Sequence, residues 1–573
     1  MKTKLITSVL LLLLAITIKA QITEVPLVDK LNLSTLVVEG KINSKTSMYA
    51  WTAAEEDIYT VYEIQVYKIF KGSLTDIDQT TNTVNVIVRG GSVGTEHVSV
   101  SPSLALEVDE VGAFLLKSTP IIGTNGTVNP TYLYAPTDNA LSKYNYDCDT
   151  GEVVGMFQVF ADVATFYQDL DTTGVSFVEV EVFVPCPIIN KNTLAFVVTG
   201  LSPANVPAGA EQILTITGSG FGATRGTKGV YFKKNSNPNY LQKLSTSSQY
   251  ISWSDTQIEL YVPYFAGTGK IAVGYASTHG FSSGILTVPY AELSSSYHQT
   301  QHSNRNTNGG LTWTMNATFA ANIDAKSSFE RALDTWICET DMNWDVSAST
   351  TNADITAGDG INIVRFDNSL TASSGVLGVC TSRWSSCGGN RIVTELDIVF
   401  NPNKTWNFTA NPTAAGLFDF ETVALHELGH GRQLKHVIDA SKTMHYALGT
   451  ATDKRSLSQG DIDGGNDIHL RSTAIQLCGQ PLMTDGVCST ATTNDYILDE
   501  TKIYPNPVNT IVNITVQRKS YYRVYDVLGK EVISKKELSI GNNAINVNKL
   551  NSGLYFIKIK TNGNEITRKI IKH

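Results

Sequence analysis

Apolar and polar residues alternate along much of the first two hundred positions. Tyr62, Ile64 and Val66 are separated by polar residues, and the valines of residues 178–182 are spaced in the same way. A period of two predicts strands that bury one face. We therefore expect an all-β domain over residues 21–198. It carries no catalytic constellation, so a structural or targeting module and a pro-segment that masks an active site are the two open interpretations.

A second β-rich stretch follows at residues 199–290. In residues 201–222 a predicted strand ends in the glycine-rich turn Gly-Ser-Gly-Phe-Gly, and further short strand patterns follow it. This segment resembles the immunoglobulin-like IPT/TIG fold, whose modules usually serve as spacers or adhesive units. Residues 291–310 are polar and lack apolar periodicity, which predicts a linker.

The apolar period changes to that of a helix at residues 327–342. Apolar side chains recur there at i, i+3, i+4, i+7 and i+8, at Phe329, Ala332, Leu333, Trp336 and Ile337. Ser327 and Glu330 have the spacing of a capping box, which predicts the start of this helix.

The strongest chemical signal is an HExxH motif formed by His426, Glu427 and His430, with a further histidine at His436. Residues i and i+4 share one helix face, so the first two imidazoles can bind one metal ion. His436 lies about 15 Å further along a continuous helix, beyond the ~2.1 Å reach of a Zn–N bond. It can join the site only if the helix breaks after His430.

The surroundings of this motif resemble the metzincin zinc endopeptidases, and the matrixins among them. Met444 stands where a Met-turn would lie beneath the metal, and residues 457–464 are similar to a matrixin helix start. The resemblance covers about residues 305–470. It implies an α+β catalytic domain, which we place at residues 311–490.

The residue types indicate a mechanism. Three neutral imidazoles, from His426, His430 and His436, would hold one catalytic Zn²⁺ and leave a position for water. Glu427 would be the general base, and Tyr446 could hydrogen-bond the oxyanion. The expected activity is hydrolysis of peptide bonds in extracellular proteins or peptides.

The resemblance also implies a substrate-binding edge strand, which contains Leu377, Gly378 and Val379. Three features depart from the matrixin pattern, one of them Tyr446, whose place two residues after the methionine is closer to astacins and serralysins. Gln433 stands where metzincins usually have a glycine, so either Gln433 adopts a left-handed conformation or Gly431 makes the turn. Residues 397–404 do not reproduce the matrixin structural-metal pattern, so structural Ca²⁺ is possible without support from the sequence.

The two ends of the chain carry export signals. Residues 1–20 begin with Lys2 and Lys4, continue with an apolar run of about ten residues and end with a small residue at Ala20, as in a secretory signal peptide. Residues 498–573 resemble the C-terminal sorting domain of type IX secretion, which implies a small β-sandwich. We therefore expect export across both membranes of a Gram-negative bacterium, with the type IX machinery as a partner, to the cell surface or medium.

Composition narrows the function classes. The 573 residues carry a net charge of −9 and 17% charged residues, which gives no general reason to bind nucleic acid. No apolar run is long enough to predict a transmembrane span. The main alternative to a secreted peptidase is a surface adhesin whose β domains bind a partner and whose peptidase domain is vestigial.

The cysteines fit an oxidising compartment. There are seven: Cys148, Cys186, Cys338, Cys380, Cys387, Cys478 and Cys488. Close spacing favours local disulfides between Cys380 and Cys387 and between Cys478 and Cys488.

An exported peptidase also raises the question of latency. Either upstream cysteine, Cys148 or Cys186, could supply a thiolate to the zinc, or the two could pair with each other. An upstream carboxylate, or no latency at all, remains open.

Overall fold

The chain is multidomain and rich in strands. Its structure, a computed structural model, describes residues 20–53, 55–126, 128–148, 150–171, 177–183, 196–275, 278–295, 298–353, 358–488, 502–516, 520–527, 530–539, 541–561 and 564–573. All but the last residue of the predicted signal peptide lies outside these ranges. Within them, no helix has the length and apolar character needed to cross a membrane.

The N-terminal domain is built around a ring of five strands. Leu36–Trp51 pairs with both Glu56–Lys71 and Val111–Ser118, and this double pairing closes the ring. The predicted apolar face is buried, with Ile64 and Val66 fully inside the core. The strands of this sheet, in order, are Val159–Phe160, Val153–Val154, Lys143–Tyr146, Val111–Ser118, Leu133–Pro136, Thr83–Arg89, Glu56–Lys71, Leu36–Trp51 and Gly123–Thr124.

Two expectations for this domain are wrong. It is not all-β, because the helices Leu27–Leu33 and Val163–Asp171 pack against the ring. The alternating valines of residues 178–182 do not form a half-buried strand. Only Val178–Glu179 pairs, at the side of Glu56–Lys71, and Val182 is 85% exposed.

The IPT/TIG-like segment consists of two four-stranded sheets around one apolar core. One sheet contains, in order, Val197–Ser202, Ile213–Ser219, Gln257–Tyr261 and Tyr250–Trp253. The other contains Asn237–Lys243, Gly229–Lys234, Ala272–Tyr275 and Thr278–Phe281.

The segment expected to be the catalytic domain, which keeps that label below, packs helices against a mixed sheet. Its helices are Ala317–Ala321, Ile323–Thr340, Phe420–Gly431 and Gln459–Ala474. The sheet contains, in order, Trp344–Val346, Leu311–Met315, Asn362–Phe366, Asn390–Phe400, Gly378–Cys387, Glu96–Ser101 and Gly91–Val93. The last two strands belong to the N-terminal part of the chain.

The helix predicted at residues 327–342 starts four residues earlier, at Ile323. Asn322 caps it, and its side chain accepts a hydrogen bond from the Ala325 N–H at 3.1 Å. The predicted capping box is therefore wrong, since Ser327 lies inside the helix. The predicted apolar face is buried against the sheet, as the 3.6-residue period requires.

Residues 291–310 differ from the expected linker. Ala291–Glu292 pairs with Leu434–Lys435, and His298–Gln301 pairs with the sheet strand Asn390–Phe400. Thr300, Gln301, His302 and Ser303 are all buried. These strands are held by hydrogen bonds to the catalytic domain, so their residues are polar. Apolar periodicity therefore does not predict them.

The C-terminal segment forms two sheets that share one apolar core. Lys502–Tyr504, Ile511–Val516 and Gly541–Asn546 make the smaller sheet. Glu531–Leu538, Ser520–Asp526, Gly553–Thr561 and Asn564–Lys572 make the larger one.

Both predicted local disulfides are wrong. The structure joins Cys338 to Cys488 and Cys387 to Cys478, and leaves Cys380 as a buried free thiol. Cys380 and Cys387 lie on one extended strand, where seven residues span about 23 Å, far beyond a disulfide's reach. Cys148 is disulfide-bonded, whereas Cys186 lies outside the described residues. The predicted Cys148–Cys186 disulfide therefore lies outside the described residues and stays a prediction.

We expect peptide mapping without reduction to recover crosslinked peptides for 338–488 and 387–478. Cys380 should react with a thiol reagent only after unfolding, because its side chain is 2% exposed. A 380–387 crosslink would contradict the strand assignment.

Candidate metal centre

The HExxH motif lies on a helix that is buried along its whole length, Phe420–Gly431, which we call the histidine helix. Asp419 caps its start, with its carboxylate accepting a hydrogen bond from the Thr422 N–H at 2.9 Å. The indole of Trp336 donates to the Leu425 carbonyl at 2.8 Å, which ties the neighbouring helix to it. The motif is thereby held in the core of the catalytic domain.

Backbone carbonyls orient the first two imidazoles. The Nδ1 of His426 lies 2.7 Å from the Thr443 carbonyl oxygen, and the Nδ1 of His430 lies 2.7 Å from that of Leu434. A ring nitrogen that donates to a carbonyl leaves the other nitrogen with its lone pair. Accordingly, the two Nε2 atoms face each other at 3.1 Å.

A sharp turn brings the third histidine to this pair. The histidine helix ends at Gly431, and Gln433 has a positive φ of 72°, so Gln433 takes the left-handed conformation. The chain reverses there, and the Nε2 of His436 lies 3.1 Å from that of His430. The three ligand atoms lie within 4.8 Å of one another.

Residues predicted as a linker hold this turn. The Leu293 N–H donates to the Gln433 carbonyl at 2.7 Å, and Ala291–Glu292 pairs with Leu434–Lys435 directly before His436. The Gln433 side chain donates to the Gly431 carbonyl at 3.0 Å and to the Ser382 hydroxyl at 3.2 Å. Sequence reasoning missed this support, because no periodic or motif signal marks a two-residue strand pairing.

The geometry and charge of the triad fit a tetrahedral zinc ion. Two nitrogens about 2.05 Å from such an ion lie about 3.3 Å apart, close to the observed 3.1 Å. Burial lowers the pKa of His426 to about 3 and lowers the pKa values of His430 and His436 well below the ordinary value. Neutral imidazoles are the form that binds a metal.

Glu427 is fully buried beside the strand that was expected to bind substrate. A Cβ at position 378 would lie 2.6 Å from the Glu427 Oε1, so only glycine lets the backbone pass this close to the carboxylate. Gly378 thus places a main-chain segment directly beside Glu427.

The segment after His436 packs against the histidine helix. Met444 is buried, and its sulfur would collide with any side chain at Gly429, which means that it packs against the histidine helix. Tyr446 is partly buried, and its ring lies 6.4 Å from that of Phe157 in the N-terminal domain. Burial raises the pKa of Tyr446, so its hydroxyl keeps its proton.

The strand expected to bind substrate is covered on its second edge over part of its length only. Leu377 is buried in the core, whereas Gly378 and Val379 begin the strand Gly378–Cys387, the cleft strand. On one side it pairs with Asn390–Phe400 from Gly378 onward. On the other side Cys380–Ser385 pairs with Glu96–Ser101, and this pairing does not include Gly378 or Val379.

The described residues contain no second cluster of metal-ligating side chains. In residues 397–404, the Asp397 carboxylate accepts a hydrogen bond from the Ile363 N–H at 3.1 Å, and the Asn401 amide donates to the Val376 carbonyl at 2.9 Å. These side chains bond to the backbone of the domain.

Three family models match the chain, each over one segment. Residues 304–470 match the matrixin model, residues 197–290 the IPT/TIG domain, and residues 502–573 the secretion system C-terminal sorting domain. No curated protein matches the chain. The chain therefore combines a matrixin segment, an IPT/TIG segment and a secretion sorting segment, as the sequence motifs indicated.

The turn at Gln433 yields a paired stability prediction. Gln433→Ala loses the side-chain hydrogen bonds and keeps the left-handed strain. Gln433→Gly loses the same bonds but relieves about 1 kcal/mol of strain. Thermal unfolding should therefore rank the glycine variant above the alanine variant by about 1 kcal/mol. Equal stabilities would show that the backbone at Gln433 is not strained.

Proposed function

We propose that the chain is a secreted, zinc-dependent endopeptidase. The observation that supports this most strongly is the buried triad of His426, His430 and His436 with Glu427 on the same helix. The matrixin and sorting-domain matches point to the same class, a secreted metallopeptidase.

The three Nε2 atoms would hold the ion, and a zinc ion bound there supplies Lewis-acid activation of water and of the scissile carbonyl. The carbonyls of Thr443 and Leu434 fix the rings of His426 and His430, so these imidazoles need no reorganisation when the metal binds. Met444, which packs against Gly429 of the histidine helix, would form the floor under the triad.

Glu427 would act as the general base, because its carboxylate projects from the same helix turn as the first ligand. It would take a proton from the attacking water and later deliver it to the leaving amine. Gly378 brings the cleft-strand backbone beside that carboxylate, so a peptide lying along this strand would present its scissile bond to Glu427.

Tyr446 would stabilise the developing oxyanion. Its hydroxyl stays protonated at neutral pH because burial raises its pKa, and a hydrogen-bond donor aimed at developing charge is the group this step requires.

The sorting segment supports export through the type IX secretion machinery, to the cell surface or the medium. The natural substrates would then be extracellular proteins or peptides. The alternative function is an adhesin with a vestigial peptidase domain. Loss of Glu427 or of a ligand would favour it, yet all four residues are present and the three ligands lie together.

We expect Glu427→Gln to retain zinc and to lose casein hydrolysis by several orders of magnitude, because the variant removes the base and leaves all three ligands. Zinc content by elemental analysis and the rate of casein hydrolysis measure the two effects. Glu330→Gln is the matched control, since Glu330 lies on an exposed helix face and contacts only Lys326 at 3.9 Å among the ion pairs described. Undiminished hydrolysis by Glu427→Gln would refute the mechanism.

Tyr446→Phe should lower kcat on the order of 10²-fold with unchanged zinc content, the usual cost of one oxyanion donor. An unchanged kcat would leave Tyr446 with a packing role against Phe157 alone.

A further inference from the structure

The cleft strand already binds an extended segment of this chain. The strand Glu96–Ser101, which we call the capping strand, pairs antiparallel with the cleft strand over six residues, from Ser385↔Glu96 to Cys380↔Ser101. It continues through a tight hairpin into Gly91–Val93. The N-terminal domain thus contributes two strands to the sheet of the catalytic domain.

This pairing leaves no room for a substrate that binds in the same way. A strand has two hydrogen-bonding edges, and Asn390–Phe400 occupies the other edge of the cleft strand. A peptide can therefore pair with Cys380–Ser385 only after the capping strand has left.

The capping strand ends at the triad itself. The Ser101 hydroxyl lies 3.0 Å from the Nε2 of His430, and Ser101 is 6% exposed. Because the Nδ1 of His430 is directed to the Leu434 carbonyl, its Nε2 is the atom expected to bind the metal. The Ser101 side chain therefore occupies the space in front of this ligand, where water and the scissile carbonyl would have to lie.

Charged and aromatic contacts anchor the N-terminal domain on the cleft strand. Asp57 accepts two hydrogen bonds from the Arg383 guanidinium on the cleft strand, at 2.6 and 2.8 Å, and both side chains are largely buried. Such a two-pronged ion pair is among the strongest polar contacts in proteins. Next to it, the His97 ring stacks on Trp384 at 5.7 Å, and its Nε2 lies 3.0 Å from the Ser386 hydroxyl.

The N-terminal domain also holds the opposite side of the cleft. Gln21, the first residue of the domain, pairs with Ala447, directly after Tyr446. The Thr23 N–H donates to the Gly375 carbonyl at 2.7 Å, just before the cleft strand.

On this side Asp138 also bonds to the residues directly before the cleft strand. Its carboxylate accepts hydrogen bonds from the Ser374 hydroxyl at 2.7 Å and from the Gly375 N–H at 2.9 Å. The domain therefore spans the cleft from the cleft strand to the segment that carries Met444 and Tyr446.

We infer that the N-terminal domain is an inhibitor built into the chain, with the capping strand in the place of substrate and the Ser101 hydroxyl in front of the metal ligands. This inference rests on the proposed function, since an inhibitor needs an active centre to block. Peptidase activity then begins when the domain is cut away or displaced.

The chemistry of the block differs from a thiolate latch. Cys148 is disulfide-bonded and cannot offer a thiolate, and the group at the triad is a neutral hydroxyl, a weak zinc ligand. Strand pairing and the Asp57–Arg383 ion pair therefore supply most of the inhibition. Thiol reagents should not activate the chain.

A cobalt-substituted variant tests the position of Ser101 without relying on activity. In the full chain, Ser101→Cys is combined with Cys380→Ala, which removes the thiol directly opposite position 101. A thiolate at position 101 should bind Co²⁺ and add a thiolate-to-metal charge-transfer band in the near ultraviolet. The matched control is Ser99→Cys in the same background, which lies about 7 Å further along the same strand face.

The charge-transfer band in the 101 variant and its absence in the 99 variant support the inference. Cobalt bound in both variants, seen by its visible bands, without charge transfer at position 101 overturns the inhibitor and leaves the metal centre intact. No cobalt bound in either variant or in the unmodified chain overturns the proposed function, and the inhibitor with it.

Activity supplies the second measurement. Asp57→Asn weakens the anchor outside the triad and should raise the rate of casein hydrolysis by the full chain by roughly tenfold or more, as expected for loss of a charge-assisted contact. Asp109→Asn, which removes an exposed ion pair with Lys41 in the same domain, should leave the rate unchanged.

Equal rates for the unmodified chain and the Asp57→Asn chain would overturn the inhibitor if both hydrolyse casein. The Glu427 and Tyr446 variants are compared in the Asp57→Asn chain as well, so that a latent chain is not mistaken for an inactive one. Absence of hydrolysis in every chain, with cobalt bound, overturns the peptidase proposal.

Discussion

The reversal of the chain at Gln433 is the constraint on which the metal centre depends. Two ligands come from one helix turn, but the third lies too far along the sequence to reach the same ion unless the backbone turns back within a few residues. The left-handed conformation of Gln433 makes this turn at a cost that a glycine would avoid. Its stability comes from outside the motif, because Leu293 bonds to the Gln433 carbonyl and the strand Ala291–Glu292 pins Leu434–Lys435. The junction after the IPT/TIG segment is therefore part of the metal centre.

The sequence predicts what is local and periodic. The spacing of His426 and His430 fixes a shared helix face, and the requirement for a break before His436 follows from helix rise alone. The apolar face of Ile323–Thr340 follows from its 3.6-residue period, although the start of that helix does not, since Asn322 competes successfully with Ser327 as the cap. The three family segments are also evident from short motifs.

The sequence does not predict what depends on distant partners. The capping strand has an ordinary alternating pattern, which indicates a strand but not the sheet it joins. The disulfides follow the fold rather than spacing, because Cys387 meets Cys478 only once the sheet and the last helix have packed. The short strand Ala291–Glu292 has no apolar period that would predict it, since it supports the turn through main-chain hydrogen bonds. These pairings join segments that are tens to hundreds of residues apart, which is why local reasoning missed them.

The disulfide between Cys338 and Cys488 has a consequence for processing of the chain. It fastens the last described residue of the catalytic domain to the helix Ile323–Thr340, just ahead of residues 489–501 and the sorting segment. Residues 483–486 are already bonded there to Ser472, Gly309 and Asp341 through the backbone. A protease that removes the sorting segment would thus leave the new C-terminal end bonded to the helix Ile323–Thr340 through the disulfide. This cystine would keep the new chain end attached after a cut anywhere beyond Cys488.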